Sequence, residues 1–166
     1  MAVLAILHYP DERLKRASAP VEVFDAELER FVDDLLATLR AAPGCVGLAA
    51  SQVNDLRRVV IVDVSSRKNT PNHGCRVLIN LQVLTSDGSV VGREGCLWVP
   101  DYTGNVARAE RIRLHARDRH GQSQNYTCTG YEARAVLHEL DHLDGLLFLD
   151  RLVSRKHDLF VRKVYK

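Results

Sequence analysis

Residues 131–143 read YEARAVLHELDHL, and this stretch decides how the rest of the chain is arranged. A helix that is apolar around most of its circumference lies in the core of a domain, whereas a surface helix shows a single apolar stripe. Gly145 is placed to end such a helix. The stretch therefore predicts a central buried helix, whose apolar positions are Ala133, Ala135, Val136, Leu137, Leu140 and Leu143.

Two histidines and a glutamate lie on this otherwise apolar helix. His138 and His142 are four residues apart, so their imidazoles project from one face and can bind the same metal ion. Glu139 lies beside them, where it can reach a water held by that metal without being a ligand. Burying these groups without partners would be costly, which favours a metal site over a chance spacing. Asp141 points away from both histidines, so we expect it to form a supporting salt bridge and not to bind the metal.

A second helix is predicted in the N-terminal part of the chain. From Asp25 to about Leu39, apolar residues recur at three- and four-residue intervals with charged residues between them. Asp25 is a typical N-cap, and the Pro43-Gly44 pair ends the pattern. The resulting apolar stripe predicts packing against the core through Leu28, Phe31, Val32, Leu35, Leu36 and Leu39.

Between the two helices, short runs of branched residues are separated by Gly, Asn, Asp and Pro, which is typical of strands. These runs are residues 59–64, 77–79, 89–91 and 112–116, and we expect them to pair mostly antiparallel. Residues 118–121 (DRHG) predict the tight turn of a hairpin. A last amphipathic segment, with Ser154 as its cap, predicts a C-terminal helix that packs through Leu159, Phe160 and Val164.

These elements predict an α+β fold in one domain spanning residues 1–166, with mostly antiparallel strands around a central buried metal-binding helix and with N-terminal and C-terminal helices. A net charge of +2 is too small to drive binding to nucleic acid. The sequence contains no apolar run of roughly 18 residues and no signal-peptide pattern. We therefore expect a soluble cytoplasmic protein with neither a membrane nor a specific nucleic-acid partner.

The third metal ligand must come from outside the buried helix. The four cysteines lack paired spacing, which suits reduced thiols, and Cys96 is the best candidate because thiolate binds both zinc and ferrous iron. Three protein ligands leave a fourth position open for water. Taken alone, Cys96 is more simply a buried structural cysteine. An ordinary zinc peptidase is a rival interpretation that takes its third ligand downstream, from Asp144, Asp150, His157 or Asp158.

Three motifs, in this order along the chain, together resemble the signature of peptide deformylases. They are Gly47-Leu48-Ala49-Ala50-Ser51-Gln52, Glu94-Gly95-Cys96-Leu97 and His138-Glu139-Leu140-Asp141-His142. The resemblance spans nearly the whole chain, from the ILHYPDERL stretch at residues 6–14 to the LFLD stretch at residues 147–150.

The resemblance implies roles for these residues. Cys96, His138 and His142 bind one divalent metal per chain, usually ferrous iron and replaceable by zinc, nickel or cobalt, and Glu139 is the acid and base. Gln52, through its side-chain amide, and Leu97, through its backbone N–H, hydrogen-bond the oxygen that becomes negative when water attacks the formyl carbon. Gly47 lies against the substrate backbone, Val46 lines the pocket for the first side chain, and Trp98 adds bulk beside the groove.

The chain departs from the family pattern beside the motifs. Cys45 stands where the first motif has a glycine, as in some organellar forms, and we interpret it as a pocket-wall residue and not as a second metal ligand. Trp98 replaces a serine, and Thr103 stands where an arginine often helps to hold the peptide backbone. Leu81 replaces a proline and Leu137 a glutamine. The reaction is therefore more firmly predicted than the substrate.

Three functions remain open at this point. The first is removal of the formyl group from the N-terminal formylmethionine of nascent polypeptides, with the ribosome as a further candidate partner. The second is a paralogue that hydrolyses another N-formyl or small amide compound. A binding protein without activity is disfavoured, because the ligand, acid/base and amide positions are all intact: Cys96, His138, His142, Glu139 and Gln52.

Overall fold

The computed structural model describes residues 2–96, 99–154 and 156–161. In these ranges the chain forms two α-helices, α1 (Ala26–Ala41) and α2 (Gly130–Leu143), and short 3₁₀ helices at Glu12–Lys15, Ala50–Val53 and Phe148–Arg151. The strands are β1 (Gly47–Ala49), β2 (Val59–Val62), β3 (Arg76–Asp87), β4 (Val90–Cys96), β5 (Val99–Arg108), β6 (Arg111–Arg117), β7 (Ser123–Thr129) and β8 (Leu159–Val161). Neither described helix is long and apolar enough to cross a membrane.

Five strands form one sheet in the order β1-β2-β3-β6-β7, and every pair in it is antiparallel. The predicted hairpin is present: β6 pairs with β7 from Arg111↔Thr129 to Arg117↔Ser123. Gly121 closes the turn with a positive φ of 85°, a conformation that favours glycine. The α+β class with mostly antiparallel strands is therefore confirmed.

The predicted helix at Asp25 is also present. The Asp25 side chain accepts a hydrogen bond from the Leu28 backbone N–H, and the helix runs to Ala41, before the predicted Pro43-Gly44 stop. Its stripe packs with the β1 and β2 residues Leu48, Val59 and Ile61. Helix α2 packs with residues of the same sheet that include Val60, Val62 and Leu114, so it is buried as predicted.

The second sheet has the order β4-β5-β8 and corrects one prediction. Residues Leu159–Val161, expected in a C-terminal helix, form strand β8 and pair with Tyr102–Gly104 of β5. The apolar spacing of the segment suited a helix, but a neighbouring strand edge satisfies its backbone groups instead. Val164 lies outside the described residues.

Candidate metal centre and active site

The predicted metal ligands come from two elements that meet at one point. His138 and His142 project from α2, and Cys96 is the last residue of β4. The His138 and His142 Nε2 atoms are 2.9 Å apart, and the Cys96 Sγ is 3.3 Å from the His142 Nε2. One ligand atom from each residue lies within 4.8 Å of the other two. The fold thus brings all three predicted ligands together, although Cys96 is 46 residues from His142.

The chemistry of these residues fits a divalent metal. Burial and the neighbouring His138 ring lower the pKa of His142 well below its usual range, so the ring is neutral, as a ligand must be. The His138 Nδ1 lies 2.8 Å from the Glu94 Oε1. Burial opposes protonation of His138, but its hydrogen bonds to Cys96 and Glu94 raise its pKa well above the usual range, so a metal ion would have to displace a proton from this ring. The carboxylate on Nδ1 would then hold the remaining proton on that side and leave the Nε2 lone pair directed at the cluster. A thiol with two imidazoles is a donor set for zinc or ferrous iron.

Glu94 is a functional residue that the sequence reasoning missed. Besides His138, it accepts hydrogen bonds from Arg108 at 2.9 and 3.0 Å and from Arg134 at 2.6 Å. Burial opposes its ionisation, but the hydrogen bonds of His138 and Arg108 hold its pKa well below the usual range. The sequence held one signal for Glu94. Side chains alternate between the two faces of a strand, so Glu94, two residues before Cys96 on β4, faces the same side as that candidate ligand. Arg108 also pairs with Asp141, as predicted for that carboxylate.

Glu139 is buried beside the cluster, with 2% of its surface exposed and its Oε1 3.7 Å from the His142 Nε2. Burial raises the pKa of Glu139 to about 7. A Cβ added at Gly47 would come within 2.8 Å of the Glu139 Oε2. Only a glycine therefore leaves room for this carboxylate between α2 and β1.

Gln52 lies in the 3₁₀ helix that follows β1, and 1% of its surface is exposed. Its Oε1 accepts a hydrogen bond of 2.8 Å from the Ala49 backbone N–H. This contact fixes which end of the amide faces the cluster, because the Nε2 then donates to the Cys96 Sγ at 3.5 Å. The amide donor is therefore held beside the candidate metal ligands.

A cleft opens over the cluster, and it is lined by Val46, Gly47, Gln52, Cys96, His138 and Glu139. Cys45 also lines the cleft, as predicted, and its thiol donates to the Gly47 carbonyl at 3.1 Å. Burial and the Glu139 charge raise the pKa of Cys45 to about 12, so its thiol is protonated, and Cys45 is not among the residues whose ligand atoms meet at Cys96. Leu97 and Trp98 lie outside the described residues.

Arg93 is a second residue that the sequence reasoning missed. It lines the cleft, and its guanidinium packs on the Phe160 ring with the Cζ 3.6 Å from the ring centroid. Its Nη1 donates to the Thr103 Oγ1 at 3.3 Å across the β4–β5 pair, and its Nε donates to Asn105 at 3.2 Å. Alternation along β4 gave no signal here, because Arg93 faces the side opposite Glu94 and Cys96. Its contacts with Thr103 and Asn105 follow only from the pairing of β4 with β5.

Comparison with known proteins decides the family. The family model described as polypeptide deformylase matches residues 3–158. The chain belongs to the peptide deformylase family. A peptide deformylase from Chromobacterium violaceum is 44% identical over 166 residues, which cover 100% of this chain and 96% of that protein.

Solved deformylase structures share the fold. The crystal structure of the Legionella pneumophila enzyme superposes with a TM-score of 0.85 at 37% identity, covering 93% of this chain and 89% of that one. A Met-Ala-Ser-bound deformylase from Acinetobacter baumannii gives a TM-score of 0.84 at 33% identity, covering 91% and 100%.

Membership of the deformylase family makes the chain a metal-dependent hydrolase. It also removes the zinc-peptidase interpretation, and the three downstream carboxylates proposed for that site have other partners. Asp144 pairs with Arg58 at 3.0 Å, Asp150 accepts from the Leu147 N–H at 2.9 Å, and Asp158 accepts from Asn105 at 2.8 Å.

Proposed function

We propose that the protein removes the N-formyl group from the N-terminal formylmethionine of nascent polypeptides and releases formate. One observation carries this assignment: a thiol and two imidazoles converge at the base of a cleft beside a buried carboxylate, in a chain that matches the deformylase family over nearly its whole length. We further propose that residues 1–166 form one domain that acts in the cytoplasm, with the ribosome as a candidate partner.

Cys96, His138 and His142 would hold one divalent metal. Thiolate and imidazole suit both ferrous iron and zinc, and ferrous iron is the first choice, with zinc, nickel and cobalt as alternatives. When bound, the metal supplies a Lewis acid that polarises the formyl oxygen and lowers the pKa of water. Glu94 orients His138 for this role through its contact with Nδ1.

Glu139 handles the proton in this scheme. Its carboxylate accepts a proton from the attacking water and then delivers it to the nitrogen of the departing amine. A pKa of about 7 suits a group that must both take and return a proton near neutral pH. Burial between α2 and Gly47 keeps the carboxylate directed at the cleft.

Gln52 would stabilise the oxygen that becomes negative during attack. Its amide is oriented in advance by the Ala49 N–H, so little reorganisation is needed when charge develops. The backbone N–H of Leu97 is the second proposed donor, by its place in the motif. Gly47 would contact the peptide backbone, Val46 would help to line the pocket for the first side chain, and Trp98 would add bulk beside the substrate groove.

Formate release from formyl-Met-Ala-Ser tests the proposal, using iron-loaded protein prepared without oxygen. We choose this peptide because the Acinetobacter relative binds Met-Ala-Ser. Efficient release from the peptide supports the proposal. Release from small N-formyl compounds alone would instead support the paralogue that Thr103 and Trp98 suggest. The Cys96→Ala variant should lose the metal, and metal retention with full activity would contradict the ligand assignment.

A further inference from the structure

A second cluster of possible ligands lies at the other end of helix α2. It consists of His73, Cys128 and Glu132, which we call the N-terminal cluster of α2, and one ligand atom from each lies within 4.8 Å of the other two. His73 lies in the loop before β3, Cys128 lies near the end of β7, and Glu132 lies in the first turn of α2. None of the three lines the cleft over Cys96, His138 and His142.

The contacts within this cluster hold Glu132 in place. Both of its oxygens meet His73: Oε2 accepts from the backbone N–H at 2.7 Å, and Oε1 lies 2.6 Å from the Nδ1. Glu132 and Cys128 are buried, with 4% and 3% of their surfaces exposed. The Tyr126 ring packs edge-on against the His73 ring at a centroid distance of 5.0 Å. Two buried ligands and a packed imidazole are thus arranged in advance.

The donor set has the charge and softness of a zinc site. A thiolate and a carboxylate bring two negative charges, which a divalent cation neutralises, while a neutral imidazole contributes no charge. Three protein ligands leave one position for water. The surrounding small cavity is mostly apolar, with Val62, Leu78, Leu114 and Val136 in its wall, and such a wall strengthens attraction between the cation and its ligands. Arg76 also lines the cavity, and its positive charge opposes the cation, so both negative ligands are needed to outweigh it.

The distances are compatible with this assignment. Nitrogen and oxygen ligands of a tetrahedral zinc lie roughly 3.3–3.4 Å apart, as follows from bond lengths of about 2.0–2.1 Å. The His73 Nδ1 and Glu132 Oε1 would separate from their hydrogen-bonded 2.6 Å by about 0.7 Å. The histidine pair at the other end of α2 starts at 2.9 Å and needs a smaller movement of about 0.4 Å.

We propose that His73, Cys128 and Glu132 form a second, structural site for a divalent transition metal, with zinc as its preferred ion. Burial and the Glu132 charge raise the pKa of the metal-free Cys128 thiol to about 12. The metal ion therefore has to displace this proton, which passes to solvent while the sulfur binds the metal. The single proton of the neutral His73 ring resides on Nε2, so that Nδ1 can bind the metal as well. The alternative is a hydrogen-bonded triad that binds no metal.

Zinc counting on the full-length protein separates these alternatives. The wild type and three variants are loaded with zinc, passed over a desalting column and analysed by mass spectrometry for zinc per chain. Cys128→Ser removes the thiol, and His73→Asn removes an imidazole from a half-exposed position, where folding is least at risk. Cys75→Ser is the matched control, because it removes a thiol two residues from His73 that belongs to neither cluster.

We expect about two zinc ions per chain in the wild type and in Cys75→Ser, and about one in Cys128→Ser and His73→Asn. Formate release, measured on the same samples, reports separately on the site at Cys96. About one zinc in the wild type overturns the proposal, and so do about two in His73→Asn or in a folded Cys128→Ser. If Cys128→Ser does not fold, the His73→Asn count decides alone.

Discussion

The two ends of helix α2 present similar ligand chemistry in different surroundings. At the C-terminal end, two histidines and Cys96 meet at the base of an open cleft, with Glu139 beside them and Glu94 behind His138. At the N-terminal end, His73, Cys128 and Glu132 surround a small, mostly apolar cavity. We therefore expect hydrolysis at the C-terminal end alone, because the reaction also needs room for a substrate, a group that moves the proton and a donor such as Gln52.

The strongest test of this comparison is Glu139→Gln, which keeps the shape of the side chain and removes its proton transfer. We expect kcat to fall by about 10²- to 10⁴-fold while the metal content stays at the wild-type value. Formate release and metal analysis on the same preparation measure both quantities. Activity near that of the wild type would show that another group moves the proton, and that the ends of α2 differ in some other way.

Glu94→Gln tests the support behind the catalytic cluster. The amide weakens the contact with His138 and leaves Arg108 and Arg134 facing a neutral partner in a buried place. We expect metal affinity or activity to fall by about 10- to 100-fold. Competition with a chelator measures the affinity, and Glu110→Gln, at an exposed carboxylate, is the control. Unchanged affinity with lower thermal stability would assign Glu94 a purely structural role.

Arg93→Ala tests whether the cleft holds an extended peptide. Arg93 approaches Thr103, the position at which the family resemblance led us to expect an arginine, so it can supply a charged donor to the peptide from the neighbouring strand. Loss of one such hydrogen bond should raise KM for formyl-Met-Ala-Ser about 10-fold, with little change in kcat. Steady-state kinetics measure this, with Arg30→Ala on the exposed side of α1 as the control.

The result for Arg93 also bears on Thr103. If KM stays at the wild-type value in Arg93→Ala and falls in Thr103→Arg with Trp98→Ser, the peptide is held poorly in the natural protein. Efficient turnover of peptides by the wild type, without a gain in the double variant, would mean that both substitutions are neutral.

His73→Asn should have the smallest effect on hydrolysis. Since the N-terminal cluster lies outside the cleft, we expect kcat/KM to change by less than about 2-fold, even where one zinc ion is lost. Formate release with the iron-loaded protein provides the measurement. A loss comparable to that in Glu94→Gln would break the comparison, because the two ends of α2 would then be coupled.

Local patterns determined a large part of this molecule. The spacing of His138 and His142 and the apolar circumference around them predicted a buried helix with two ligands, since positions along one helix depend only on local geometry. The Asp25 cap and the turn at residues 118–121 were predictable for the same reason, because each uses hydrogen bonds between residues a few positions apart. The family motifs predicted Cys96 as the third ligand, and the structure brings its sulfur to the two histidines.

Only the tertiary structure shows the contacts between residues that lie far apart in the sequence. Cys96 meets His142 across 46 residues, and His73 meets Glu132 across 59, so no local pattern reveals either contact. The use of Leu159–Val161 as a strand depended on the edge of β5, where backbone pairing outweighs a helical spacing of apolar residues. The link from Glu94 to His138 likewise required the end of β4 to lie against α2. Residue types and their spacing thus predicted the reaction, and the packing of strands on α2 decided which side chains support it.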